Sequence, residues 1–339
     1  MIRRKTIFSS LTFVCGLMLS SLFVSCDSLG GQKDENKVDY LAVQIDENDS
    51  WSIIDAEGKV IVDREYDKDD KVSIIYDGGI YWVCSKDKYR LYSIDSPKKS
   101  LTDKEYDKVT EFREGRAFVS INGQPIIMID EKGNHLKTLY KDVAMVTSIR
   151  DGMVPFQNQE GLWGFLNKNG DVVIPAAYKD VHNFDCGVSC VYSGDDGKTV
   201  SLIDKKGNTI KTWNKEKYTP SFIASEDKWG MTVDGSSDNP SVVYLDLKGN
   251  EVFGKVKGYK RTDVFYSGYA VIYNYTDDDY AVINDKGEKV IRGGKYKSIM
   301  NMGNGIFIAK KGDKCGIVDA EDNTLVKVDY DDSFYCRRG

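Results

Sequence analysis

Two histidines, seven cysteines and 53 acidic residues are the side chains of this 339-residue sequence whose types could carry chemistry. His135 and His182 stand alone, with no second histidine four residues away and no Cys-x-x-Cys partner, so their spacing offers no zinc site. Cys186 and Cys190 are four residues apart. In a strand that spacing puts both sulfurs on one face, where a disulfide within the strand would be strained. The disulfide state of Cys84, Cys186, Cys190, Cys315 and Cys336 stays open, and most of them read as small buried hydrophobes. Acids cluster at Asp67, Asp69 and Asp70, at Asp195 and Asp196, at Asp277 to Asp279, and at Asp329, Asp331 and Asp332. None has the Asp-x-Asp-x-Asp-Gly spacing and downstream Glu of a calcium loop. A pair of carboxylates could hydrolyse a glycosidic bond, but their separation in space is not readable from sequence. No phosphate-cradling Gly-rich loop or Gly-x-Ser-x-Gly elbow is present. The expectation is a chain with no catalytic residues, metal or cofactor. Aromatic faces also pack on sugar rings, and three aromatics stand outside the repeated frame described below. They are Trp229 in the 225–240 segment, and Tyr273 and Tyr275 ahead of an acidic run; these are the candidate binding residues.

Arg3, Arg4 and Lys5 precede an uncharged apolar stretch from Ile7 to Val24, the pattern of an export signal. The stretch ends in Phe23-Val24-Ser25-Cys26, which resembles the lipobox of bacterial lipoproteins, although leucine is usual where Phe23 stands. The resemblance implies cleavage before Cys26 and acylation of Cys26. An ordinary cleaved signal and an uncleaved anchor of about 18 apolar residues are the alternatives, and both also place the chain outside the cytoplasm. Residues 1–25 are thus read as a lipoprotein signal peptide and 26–37 as a polar, Gly-containing tether. Residues 38–339 form the folded domain. Without the signal there are three fewer basic residues than the 47 of the full sequence, against 53 acidic ones, a net charge of -9. That balance argues against nucleic acid and anionic headgroups as partners.

The elements are set by one recurring phrase, an apolar run followed by Asp or Asn, two residues and Gly. Its last position falls at Gly58, Lys98, Gly133, Gly170, Gly207, Gly249, Gly287 and Asp322, with spacings of 40, 35, 37, 37, 42, 38 and 35 residues. A period this steady marks a repeat architecture. The residue before the Asp or Asn is aliphatic in every copy, from Ile54 and Ile94 to Val318. Apolar positions of both parities point to strands covered on both faces. The Asp-x-x-Gly that follows suits a tight hairpin, with Gly supplying positive φ. A tyrosine follows about eight residues later (Tyr66, Tyr106, Tyr178, Tyr330). Each copy then closes with a Gly-led alternating run such as Gly115-Arg-Ala-Phe-Val119. Three strands per unit are readable.

The best copy is Gly161-Leu-Trp-Gly-Phe-Leu-Asn-Lys-Asn-Gly170-Asp-Val-Val-Ile-Pro175-Ala-Ala-Tyr178. It is similar to the WG (KWG) repeat family of bacterial β-repeat proteins, with Trp-Gly reduced to Trp51-Ser52 in the first copy and Cys315-Gly316 in the last. The resemblance implies an all-β, β-propeller-like fold of about eight units and no established activity. Tyr40 to Val43 looks like the closing strand of a unit whose beginning is missing, and the last unit lacks such a strand. The N-terminal strand is therefore expected to seal a ring by pairing beside residues 315–325; an open β-solenoid is the alternative.

The function expected from these readings is a noncatalytic interaction module in the cell envelope. It would be lipid-anchored, facing the periplasm or on the outer membrane, and would bind a protein or glycan through loop-built surfaces. A carbohydrate-active hydrolase using clustered carboxylates and a structural subunit of an envelope complex are the competing readings.

Overall fold

The computed structural model describes residues 40–44, 50–194, 197–274 and 279–331. They form eight small antiparallel sheets, each a meander in which consecutive strands are neighbours. Among the described residues the only helix is a single 3-10 turn at Asp77–Gly79.

The chain divides into two compact units, the first ending at Lys141 and the second beginning at Asp142 for the described residues. In the first unit, sheet one is β1 (Tyr40–Val43), β2 (Trp51–Asp55) and β3 (Val60–Tyr66). Sheet two is β4 (Lys71–Val72), β5 (Ile80–Ser85) and β6 (Lys88–Ser93). Sheet three is β7 (Lys108–Val109), β8 (Arg116–Ser120), β9 (Ile127–Asp130) and β10 (His135–Thr138).

In the second unit, sheet four is β11 (Val143–Val146), β12 (Met153–Asn158), β13 (Trp163–Asn167) and β14 (Val172–Tyr178). Sheet five is β15 (Asp180–Val181), β16 (Val188–Ser193), β17 (Thr199–Asp204) and β18 (Thr209–Asn214). Sheet six is β19 (Tyr218–Ser225), β20 (Lys228–Val233), β21 (Ser241–Asp246) and β22 (Val256–Lys257). Sheet seven is β23 (Arg261–Thr262), β24 (Tyr269–Asn274), β25 (Asp279–Asn284) and β26 (Lys289–Ile291). Sheet eight is β27 (Ser298–Gly303), β28 (Ile306–Lys311), β29 (Lys314–Asp319) and β30 (Thr324–Asp331).

Where intact, the repeated Asp-x-x-Gly phrase makes the hairpin between the last two strands of its sheet. In sheet five the Gly207 N–H donates to the Asp204 carbonyl at 2.9 Å, and Gly207 takes φ +83°. The Asp204 Oδ1 accepts the N–H groups of Lys206 and Asn208, both at 2.9 Å, while Asn208 Nδ2 donates to its Oδ2 at 2.8 Å. One side chain thus satisfies three donors that the turn leaves without a ladder partner. The same acid-amide pair closes the turns at Asp130 and Asn134, Asp246 and Asn250, and Asp319 and Asn323. At Asn284 and Glu288 the two types are exchanged. The Asn208 amide, aided by backbone N–H groups, holds the Asp204 carboxyl below the usual carboxylate range. Asn208→Asp should therefore set two carboxylates against each other, raise the Asp204 pKa and lower the melting temperature at neutral pH. Because Asp204 is depressed in the folded chain, its contribution is present above the ordinary carboxylate pKa and fades as pH falls through the folded value. The variant's deficit should shrink in acid, and NMR titration of the Asp204 carboxyl reads the shift directly.

Middle strands are buried on both faces. Tyr81, Val154, Leu202, Tyr244 and Val282, from five different sheets, are all at most 1% exposed. Adjacent sheets of a unit share these cores. Val191 and Ile203 of sheet five pack with Phe165 of sheet four, and Cys190 and Leu202 pack on the opposite side with Met231 and Leu245 of sheet six. This is face-to-face sheet stacking, and it accounts for the apolar residues at both parities.

Opposite the Trp-Gly position the fourth strand bulges. Trp163 pairs with Tyr178 and Phe165 with Ile174, so the residues between Ile174 and Tyr178 crowd over Gly164. A Cβ on Gly164 would lie 2.5 Å from the Ile174 carbonyl oxygen and 2.7 Å from the Ala176 nitrogen. In sheet one the equivalent residue is Ser52. There the bulge accommodates it by placing Arg64 at φ +45°, with the Arg64 N–H donating to Ser52 Oγ at 3.0 Å.

Two expectations are corrected. Tyr40–Val43 does not complete the last unit, since β1 pairs along its length with β2, from Tyr40 opposite Asp55 to Val43 opposite Ser52. The β29 strand already has β28 on one side and β30 on the other. Pairing strands that are near in sequence closes a short loop, which costs less entropy than recruiting a distant one. Six of the sheets have four strands where three were read. The missed strand is the first one, often two residues long as in β7 and β15, too short to display any period.

Candidate functional site

Cys26, Cys336 and Tyr275 lie outside the described residues. Trp229 does not stand outside the repeated frame. It sits in β20 opposite Leu245, is 3% exposed, donates its indole N–H to the Asp246 carbonyl at 3.0 Å and packs edge-on against Trp213. The frame was disguised because Glu226 and Asp227, with φ +51° and +56°, make the turn that other units build with a glycine. Tyr273 is half-buried in β24, opposite Tyr280 on β25, with the rings stacked at 5.4 Å. The two rings cover each other's inner faces.

Cys186 is not in a strand either. With φ +50° it shares a tight turn with Gly187, across which Asp185 and Val188 exchange both backbone hydrogen bonds. Cys84, Cys190 and Cys315 are buried, and Cys186 is half-buried. Trp51 and Trp163, the tryptophans of the Trp-Gly position, are half-buried at the start of β2 and β13. Of the repeat tyrosines, Tyr66 and Tyr106 are buried and Tyr178 is half-buried.

The residues richest in chemistry meet in one place, a pocket between sheets five and six in the second unit. It is lined by His182, Asp185, Ser189, Cys190, Ser221 and Trp229, among others, with a cavity volume of about 20 Å³. That is room for about one water molecule. The pairing of β15 with β16 sets His182 opposite Cys190, its N–H donating to the Cys190 carbonyl at 2.9 Å, and the packing of β16 on β20 brings both to this wall.

Each group there is held in its neutral or committed form. Burial drives the His182 pKa down to about 4, with Asp180 opposing and Lys215 reinforcing the shift, so the imidazole is uncharged at neutral pH. Its Nε2 faces the Tyr192 hydroxyl at 3.4 Å. Burial pushes the Cys190 thiol up to about 12. A cysteine nucleophile needs the reverse arrangement, a depressed thiol beside a cationic imidazole. Ser189 Oγ donates to the His182 carbonyl and Ser221 Oγ to the Gly230 carbonyl, both at 2.8 Å, so neither hydroxyl proton faces a base. Asp185, 2% exposed, forms an ion pair with Arg150 at 2.8 Å. Among the described residues no three of His, Cys, Asp and Glu converge closely enough to hold a metal ion.

What the geometry offers instead is a repeated scaffold with its chemistry locked into packing. Four segments match the WG containing repeat. They span residues 51–89, 95–124, 163–195 and 280–315. Three of the four start in one sheet and end in the next, whereas 95–124 takes in only β7 and β8 of sheet three. Residues 163–195 take in β13 and β14 of sheet four, then β15 and β16 of sheet five. In those three the sequence repeat crosses the sheet boundary, and each ties two neighbouring sheets covalently. No curated protein matches the chain. Among solved structures, a eukaryotic initiation factor is similar at 10% identity and TM-score 0.55, over 85% of this chain and 84% of that one. The computationally designed Ika8 protein is similar at 14% identity and TM-score 0.47, over 82% of this chain and 89% of that one. BamB from Moraxella catarrhalis is similar at 12% identity and TM-score 0.34, over 74% and 91%. At such identities the likeness speaks to fold alone, which is all-β and β-propeller-like.

Proposed function

We propose that the chain is a noncatalytic interaction module of the cell envelope, held to a membrane by acyl chains on Cys26 and binding a protein or glycan partner through loop-built surfaces. The observation that carries the noncatalytic reading is the state of the pocket between sheets five and six. It has room for about one water, far below the several hundred Å³ of a small-molecule site, and its histidine and thiol are each held neutral. In the same reading the eight sheets are successive blades of one propeller-like ring. The uniform meander order and the likeness to the initiation factor support this over an open solenoid. Small-angle scattering separates a compact ring from an extended array.

Affinity capture with the detergent-solubilised full chain, followed by a glycan array, tests the binding role. Hydrolysis of an envelope polysaccharide, abolished by a single Asp or Glu substitution, would overturn it in favour of an enzyme. The anchor is tested separately. Metabolic labelling with a fatty-acid analogue should mark the wild-type protein and not Cys26→Ser, and the variant should leave the membrane fraction. Equal labelling of both would remove the anchor from the reading.

A further inference from the structure

We propose that Asn122 is a site of spontaneous deamidation, converting ahead of the chain's other Asn-Gly pairs. The sequence holds three such pairs, at 122–123, 169–170 and 304–305. In this reaction the main-chain nitrogen of the glycine attacks Cγ of the asparagine. A new N–C bond closes a five-membered succinimide, the C–N bond to the side-chain amide breaks, and ammonia leaves carrying the N–H proton. Water then opens the ring at either carbonyl, leaving aspartate or isoaspartate. No oxidant or enzyme is needed. The rate depends on a reachable glycine nitrogen and on an asparagine side chain free to rotate over it.

The three pairs differ in both respects. Asn122 and Gly123 are both exposed at the tip of the hairpin joining β8 to β9, and a Cβ on Gly123 would meet nothing within 4 Å. The turn is closed by Gln124, whose N–H donates to the Ile121 carbonyl at 2.9 Å, so the closing bond does not use the Gly123 nitrogen. At the second pair the nucleophile itself is committed, because the Gly170 N–H donates to the Asn167 carbonyl at 2.9 Å. Asn169 is held as well, its N–H donating to Asn167 Oδ1 at 2.8 Å. At the third pair Gly305 is buried, with the Ala320 Cβ 3.4 Å from where its own Cβ would stand, and Asn304 is fixed at φ +52° in a tight turn. Only the first pair combines an open nitrogen with an exposed asparagine.

Conversion would act on a nearby tie. The Asn122 N–H donates to Asp107 Oδ2 at 2.9 Å, and the other oxygen of Asp107 is ion-paired with Lys88. Deamidation adds a second negative charge to this turn, and isoaspartate lengthens the main chain by one methylene, moving the N–H away from Asp107. The test is to age the full chain in mildly alkaline buffer and map its peptides by fragmentation that distinguishes aspartate from isoaspartate. Asn122 should convert first and yield both products, and conversion should slow sharply in Gly123→Ala. In denaturant the three sites should converge in rate, since the ranking is structural. Faster conversion at Asn169 or Asn304 in the folded chain would overturn the proposal. So would a lead for Asn122 that persists undiminished in denaturant, because sequence context alone would then explain it.

Discussion

Gly164→Ala should lower the stability of the second unit by about 3 kcal/mol, the upper range for forcing atoms into a filled space. The reason is not backbone conformation, because Gly164 does not occupy the left-handed region. It is contact: the new Cβ would sit 2.5 Å from the Ile174 oxygen, 2.7 Å from the Ala176 nitrogen and 2.8 Å from the Pro175 carbonyl carbon. All three are main-chain atoms of the bulged β14, and no side-chain rotation can clear them. Gly316 stands under the bulge of β30 in the same way, 2.6 Å from the Val326 oxygen and 2.7 Å from the Val328 Cα. Gly152→Ala is the control. It has φ +70° with nothing within 4 Å, so it should cost only about 1 kcal/mol of left-handed strain. Urea midpoints of the two variants make the comparison, and amide exchange across β14 should accelerate in the first alone. Similar losses in both would mean that the glycine serves conformation and not close approach.

Between pH 6.5 and pH 4 the protein should lose about 3 kcal/mol of stability through His182 alone. Burial holds the folded imidazole at a pKa of about 4, against about 6.5 in an unfolded chain. Within that window the unfolded state binds a proton that the folded state refuses, so stability rises with pH and falls as the solution is acidified. Above the window both states are neutral at this residue, and below it both are charged, so the slope is confined to the interval. Asp180 faces the ring and moderates the effect, whereas Lys215, which also lies over the Tyr192 ring, adds to it. The chain has only two histidines, which makes the measurement clean. His182→Gln keeps a polar side chain beside Tyr192 but does not titrate. Its unfolding free energy should fall about 3 kcal/mol less than that of the wild type across the window, the remaining slope coming from depressed carboxylates such as Asp204, and an unchanged wild-type slope in the variant would assign the effect elsewhere.

The candidate site was poorly legible before the fold was known. His182 and Cys190 are eight residues apart with intervening turn and strand residues, a spacing without meaning in any catalytic motif. They are nonetheless neighbours across the hairpin of β15 and β16, where the His182 N–H donates to the Cys190 carbonyl at 2.9 Å, and the packing of sheet six on β16 completes the wall. Trp229 looked free because the turn before it carries Asp227 at the left-handed position where other units have glycine. A reader who counted Asp as a tolerated left-handed residue would have kept β20 in register and buried the tryptophan.

By itself the sequence determined the features that short stretches of chain decide. Eight Asp-x-x-Gly or related turns predicted about eight units, and the described residues form eight sheets. The turn chemistry was readable because an Asp or Asn caps N–H groups only two and four residues away, as Asp204 does for Lys206 and Asn208. Apolar residues at both parities foretold middle strands covered on both faces, because burial of a strand depends on its own composition. The tertiary structure decided what depends on partners. It placed β1 against β2, put two-residue strands such as β15 at the start of a sheet, and made Gly164 necessary through atoms ten to twelve residues away. These outcomes follow from which backbone edge or surface lies opposite a residue, and no local pattern of residue types carries that information.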